Sequence, residues 1–198
     1  MKIKKKTVLT IDQYINEALY NNKFGYYMKN NPFGKNGDYI TSPNISILFS
    51  EMIAIWIISF WENLKYPKKF NLIELGGGNG EMMKQILNTF ENFPLFQNCC
   101  KIHILEKSTY LKNIQKQNLK NKNIKWLKNL NEISNRPNIF IANEFFDALP
   151  IKQFIKKEQK WYERNIKFSK INKPEFLNIL TNIKKFEKKI GFNISYKQ

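Results

Sequence analysis

A chain of 198 residues, 42% hydrophobic and 15% aromatic, has the material for one domain with a packed core and is too apolar for a disordered segment. Its 33 Lys and Arg against 16 Asp and Glu give a formal charge of +17, which admits nucleic acid or an anionic surface as partner. The cations are nearly all Lys, scattered among Asn and Ile with no block at phosphate-tracking spacing, so a compositional origin is the simpler reading.

Two adjacent cysteines, Cys99 and Cys100, and one His leave neither a useful disulfide nor a zinc set, so no metal is expected and a reducing compartment fits. Met1 to Lys6 is basic, but Thr7 to Tyr20 mixes Asp12, Gln13 and Glu17 into the pattern and offers no apolar run, so a signal peptide is not expected. Thr10 is positioned to cap a helix over Ile11 to Asn21, where Ile11, Tyr14, Ile15, Ala18 and Leu19 recur at helical spacing. A polar loop from Asn30 to Pro43, with Pro32, Gly34, Gly37 and Asp38, precedes an apolar run from Ile45 to Trp61, capped by Asn44 or Ser46. That run carries Glu51 and is short for a bilayer, so it reads as a buried helix, and no membrane span is expected.

From residue 70 onward strands and helices alternate. Strands are expected at Phe70 to Leu75, Lys101 to Glu106, Ile124 to Leu127 and Asn138 to Asn143. Helices are expected at Glu81 to Phe90 and Ser108 to Leu119, and a helical pattern runs from Pro174 to Ile190. The alternation predicts an α/β fold with a Rossmann-like, doubly wound, mostly parallel sheet and ligands at the carboxyl ends of its strands. Three zones follow: a helical N-terminal extension with a cofactor-covering loop over 1–66, a cofactor-binding core over 67–168 and a Lys-rich segment over 169–198.

Glu74-Leu75-Gly76-Gly77-Gly78-Asn79-Gly80 follows the first expected strand and opens a helix, which lets the backbone turn sharply against a ligand. A dinucleotide fingerprint would place Gly at position 81; the Glu81 found there suits a pyrophosphate poorly and tolerates a cationic ligand such as S-adenosylmethionine. Gly76, Gly78 and Gly80 are the candidate cradle, with Glu74 placed to orient the loop or meet the cationic end of the cofactor. Glu106, ending the next strand, is a candidate acceptor for ribose hydroxyls. The fourth strand runs into Asn143-Glu144-Phe145-Phe146-Asp147-Ala148-Leu149-Pro150, so Asn143, Glu144 and Asp147 face the same cleft as the glycine loop. Two carboxylates there can grip a guanidinium and hold its nitrogen in line with a methyl group. His103 lies mid-strand and reads as packing; Trp56, Trp61 and Trp126 read as core or rim.

Phe24-Gly25-Tyr26-Tyr27, Pro32-Phe33-Gly34, Gly37 to Pro43, the helix from Phe49 to Trp56, the Glu74 to Gly80 loop, Asn143 to Pro150 and Trp161-Tyr162-Glu163-Arg164 together resemble the MidA-like methyltransferases. Mitochondrial members of that family are complex I assembly factors. The resemblance implies an S-adenosylmethionine-dependent methyltransferase acting on arginine of a protein substrate, possibly a complex I core subunit, in the cytoplasm or the mitochondrial matrix. It also implies that the loop at Gly37 and Asp38 closes over the cofactor. Family members are longer and carry further strands, so this sheet is expected to be incomplete. Two other readings stay open: a nucleic-acid methyltransferase, and an inactive remnant that only binds a partner.

Overall fold

The computed structural model describes residues 8–34, 37–120, 122–168 and 173–194. In chain order the first elements are β1 (Val8–Thr10), α1 (Ile11–Tyr20), α2 (Tyr26–Lys29), α3 (Ser42–Ile45) and α4 (Ile47–Asn63). β2 (Phe70–Leu75), α5 (Glu81–Phe90), α6 (Pro94–Cys99), β3 (Cys100–Leu105), α7 (Thr109–Asn118), β4 (Ile124–Leu127) and β5 (Asn138–Ile141) follow. The chain then forms β6 (Phe154–Lys157), β7 (Lys160–Phe168), β8 (Pro174–Leu180) and α8 (Ile183–Ile190). Two compact units result, one of Tyr20–Ala148 and one of Met1–Leu19 with Leu149–Gln198.

In the first unit four parallel strands run in the order β4-β3-β2-β5. The chain winds outward from β2 through β3 to β4, then crosses back to lay β5 on the other side of β2. This is the doubly wound arrangement expected from the alternation, and its direction reverses between β2 and β5. β2 is buried along nearly its whole length, as a strand covered on both faces must be. Phe70 and Leu72 pack with Ile57, Met83, Ile86, Phe90 and Phe96 in one apolar core. Burying an aromatic side chain of this kind contributes about 1.5–3 kcal/mol. His103 is buried and takes Asn71 Oδ1 as partner at 3.2 Å, a packing role as the sequence suggested.

The apolar run expected to be a buried helix forms α4, which buries only one side: Ser50, Ala54, Ile57, Ile58 and Trp61. Ser46 precedes it but makes no side-chain capping bond. Ser108 does cap α7, its hydroxyl accepting from the Leu111 amide at 3.1 Å. Among the described residues no helix is long and apolar enough to cross a membrane, and no group of three or more His, Cys, Asp or Glu is placed to hold a metal.

The second unit is an antiparallel sheet in which β7 pairs β6, β1 and β8. α1 begins at Ile11 as expected, where the Thr10 amide donates to Gln13 Oε1 at 3.3 Å and the Thr10 hydroxyl donates to Asp12 Oδ1. The helical pattern read over Pro174 to Ile190 is corrected here: only Ile183–Ile190 is helical, and Pro174–Leu180 is β8. Phe176, Leu177 and Leu180 sit at spacings that suit either state, and seven paired positions along β7 decide for the strand. Asn182, accepting from the Lys184 amide at 3.1 Å, starts the helix after it.

Candidate functional site

The loop after β2 is shaped by two glycines. Gly76 and Gly78 have φ of +70° and +53°, and a Cβ on Gly76 would stand 2.6 Å from the Phe145 ring. Side chains are excluded at Gly76 on both counts. Asn79 then finishes the turn, its Oδ1 accepting from the Glu81 amide at 3.1 Å and its Nδ2 donating to Asn44 Oδ1 at 2.9 Å. An open cleft lies over this loop, at the carboxyl end of β2 where the winding reverses. Phe33, Thr41, Pro43 and Asn44 form one wall; Glu74, Gly76 to Asn79 and Met82 form the floor; Asn143 and Glu144, after β5, stand opposite.

Glu74 is 1% exposed, and its Oε2 has no hydrogen-bond partner among the described residues. That oxygen lies 3.2 Å from where a Cβ on Gly77 would be, directly under the loop. Burial, reinforced by the nearby Glu106 carboxylate, pushes the Glu74 carboxyl up to about 8. Burial also raises Glu106, against the opposing effect of its hydrogen bonds. Glu106 accepts from the Ser108 amide at 2.8 Å and from Gln115 Nε2 at 3.1 Å. Gln115, wholly buried, also donates to the Gly78 carbonyl at 2.9 Å and accepts from Trp126 Nε1 at 2.9 Å. One amide thus joins the glycine loop to the sheet beside it. A buried carboxylate with an unpaired oxygen in the cleft floor fits a ligand that brings a cationic donor, and S-adenosylmethionine carries an ammonium and a sulfonium.

The fold brings Glu74, Gly76, Gly78, Asn143 and Glu144 together and leaves the other expected site residues off the cleft wall. Gly80 is the residue before α5, with φ +85°, and its open side faces Gln115 and Leu119. Glu106 is held by Ser108 and Gln115 beside Glu74. Gly37 packs against the Pro32 carbonyl, and Asp38 accepts from the Tyr26 hydroxyl, so neither lines the cleft; Phe33, Thr41, Pro43 and Asn44 of that loop do. Asp147 sits in a single 3-10 turn, Phe146–Ala148, where its charge acts on Tyr20 and Tyr27. Of the expected pair of carboxylates, Glu144 lines the cleft, and both charges act on Tyr27. Glu144 has φ +49°, a left-handed conformation that costs a non-glycine residue about 1–2 kcal/mol.

Sequence reasoning offered Asn44 only as a helix cap and assigned no role to Asn79, Met82 or Gln115. Gln115 was legible in principle, since it falls four residues from both Leu111 and Leu119 on the apolar face of α7, where a polar side chain needs partners.

A parallel doubly wound sheet, a glycine loop at its reversal and a buried acid beneath that loop define the class of Rossmann-like methyltransferase units. Residues 52–196 match the family described as "Putative S-adenosyl-L-methionine-dependent methyltransferase", and the chain belongs to that family. It is 36% identical over 186 residues to the protein arginine methyltransferase NDUFAF7, mitochondrial, of Xenopus laevis, covering 82% of this chain and 43% of the relative. The Homo sapiens protein of the same name is 33% identical, with 82% and 42% covered. The chain thus spans less than half the length of these curated relatives. Its fold is similar to the crystal structure of a COG1565 superfamily member from Burkholderia thailandensis bound to S-adenosyl-homocysteine, with TM-score 0.75 and 20% identity over 93% of this chain and 49% of that one. These comparisons agree with the MidA-like resemblance drawn from the motif blocks.

Proposed function

We propose that this chain carries the cofactor half of an S-adenosylmethionine-dependent methyltransferase that modifies arginine in a protein substrate. The observation that carries the reading is the partnerless Oε2 of buried Glu74 in the floor of the glycine-loop cleft, with Asn143 and Glu144 opposite. When bound, the cofactor supplies a methyl group on a positively charged sulfur, ready for transfer to a nucleophile. Glu74 releases its proton to solvent as the cation arrives and then gives it a carboxylate held out of water, where the attraction is strong. The bare backbone at Gly76 and Gly78 allows close approach, and Phe33 and Met82 exclude water from the walls.

Glu144, exposed at the cleft mouth, accepts hydrogen bonds from a guanidinium and keeps one nitrogen directed into the cleft, with Asn143 as a neutral second partner. The names of the arginine methyltransferase relatives favour this substrate class over nucleic acid. A complex I subunit as the target follows only from the resemblance, as does a mitochondrial or cytoplasmic location.

Thermal unfolding with and without S-adenosylhomocysteine tests the cofactor reading. A ligand at a hundredfold excess over its dissociation constant stabilises the fold by about 2.7 kcal/mol. An unchanged, cooperative transition at millimolar ligand would overturn it. Transfer of labelled methyl to arginine-containing peptides, lost in Glu144→Gln with cofactor binding kept, tests the substrate reading.

A further inference from the structure

Helix α7 grips the glycine loop from the side away from the cleft. Gln115 Nε2 donates to the Gly78 carbonyl at 2.9 Å, and Asn118 Nδ2 donates to the Asn79 carbonyl at 2.8 Å. One turn separates the two residues, so they share a face of the helix. A Cβ on Gly80 would stand 3.4 Å from both the Gln115 Cα and Leu119 Cδ1, which seats α7 directly on the loop. The Gln115 amide is fixed in orientation as well, because its Oε1 accepts from Trp126 Nε1 at 2.9 Å.

Holding a carbonyl also aims the amide in the same peptide plane. In a trans peptide the carbonyl of one residue and the N–H of the next point opposite ways. With the Gly78 oxygen held against α7, the Asn79 N–H is turned away from that helix, toward the side where Phe33 and Asn44 line the cleft. Other amides of the loop are engaged: Gly76 donates to the Leu105 carbonyl at 3.0 Å and Gly80 to the Gly77 carbonyl at 2.8 Å. The Glu81 amide donates to Asn79 Oδ1 at 3.1 Å. The Asn79 amide has no partner among the described residues.

The composition of the cleft says what that amide is for. Among the described residues its lining includes no Lys or Arg, in a chain that has 33 of them. S-adenosylmethionine carries a carboxylate beside its ammonium, and Glu74 suits only the cation. Neutral donors are left for the anion, and a backbone N–H fixed in direction is the strongest of them toward a carboxylate.

We propose that Gln115 and Asn118 are positioning residues for the cofactor, holding the glycine loop so that the Asn79 amide donates to the carboxylate of its amino-acid end. The proposal deepens the methyl-transfer reading above and rests on it. Neither side chain touches the cofactor; both act through the carbonyls they hold.

Two ligands separate this role from a general effect on the fold: S-adenosylhomocysteine, which has the amino-acid end, and 5′-methylthioadenosine, which lacks it. Asn118 is exposed, so Asn118→Leu should melt as the parent does. By calorimetric titration it should weaken S-adenosylhomocysteine about tenfold and 5′-methylthioadenosine less than about twofold. Gln115→Met also frees Glu106, so it should weaken both ligands, and S-adenosylhomocysteine the more. In the 15N-labelled parent the Asn79 amide resonance should move with S-adenosylhomocysteine and stay with 5′-methylthioadenosine. Equal losses for the two ligands in Asn118→Leu, no loss at all, or an Asn79 resonance indifferent to S-adenosylhomocysteine would overturn the proposal while leaving the cofactor reading intact. A parent chain that bound neither ligand would remove the cofactor reading, and this proposal with it.

Discussion

Glu74→Gln isolates the cost of a carboxyl group buried without a partner. In the unfolded chain this group ionises near 4.5, and in the folded one near 8. Between those values the unfolded state releases the proton and the folded state keeps it, so stability falls as pH rises, by about 1.4 kcal/mol per unit. The contribution is absent below 4.5 and complete above 8; by pH 7 it amounts to roughly 3 kcal/mol. Gln cannot ionise, so the variant lacks this slope. Its amide brings a donor with no obvious acceptor, a pH-independent cost of about 1–3 kcal/mol, so the slope of the difference is the diagnostic quantity. His103, held below its usual range chiefly by burial, titrates in both proteins and cancels. Urea unfolding at pH 5, 6, 7 and 8 should show the variant gaining on the parent by about 1.4 kcal/mol per unit. A constant difference across that window would refute the reasoning. Cofactor binding should weaken in the same variant, since the carboxylate that meets the cation is gone.

Gly76→Ala should destabilise by about 2–4 kcal/mol, because the left-handed backbone and the Phe145 ring both oppose a methyl group; relief in a double variant with Phe145→Ala would confirm the contact. Gln115→Leu should cost about 2–5 kcal/mol in denaturant unfolding, since it leaves Glu106, the Trp126 indole and the Gly78 carbonyl short of a partner; a loss under about 1 kcal/mol would show the clamp to be unimportant. Glu144→Gly should stabilise the fold by about 1 kcal/mol by relieving the left-handed conformation, while lowering methyl transfer in the labelled assay; unchanged transfer would remove Glu144 from the reaction.

The order of β2, β3, β4 and β5 and the site at the end of β2 were legible from the sequence because they depend on local signals. Short apolar runs, a glycine cluster between strand and helix, and Ser108 ahead of α7 act over a few residues. The switch that puts β5 beside β2 follows from the same alternation, since a parallel sheet has few ways to continue. Other features depended on partners far along the chain. β8 became a strand rather than a helix because β7 offered it an edge. Glu106 was read as a cofactor ligand; that its carboxylate also accepts from Ser108 and Gln115 only the fold supplies. Asp147 shares a sequence block with Glu144, and the fold sets both charges near Tyr27, a neighbour more than a hundred residues earlier in the chain. Sequence determined which residue types the chemistry would have at hand, through periodicity and turn chemistry that act within a few residues. Only tertiary structure decided which of them meet, because burial, and the pairing that burial demands, are set by neighbours that sequence spacing does not name.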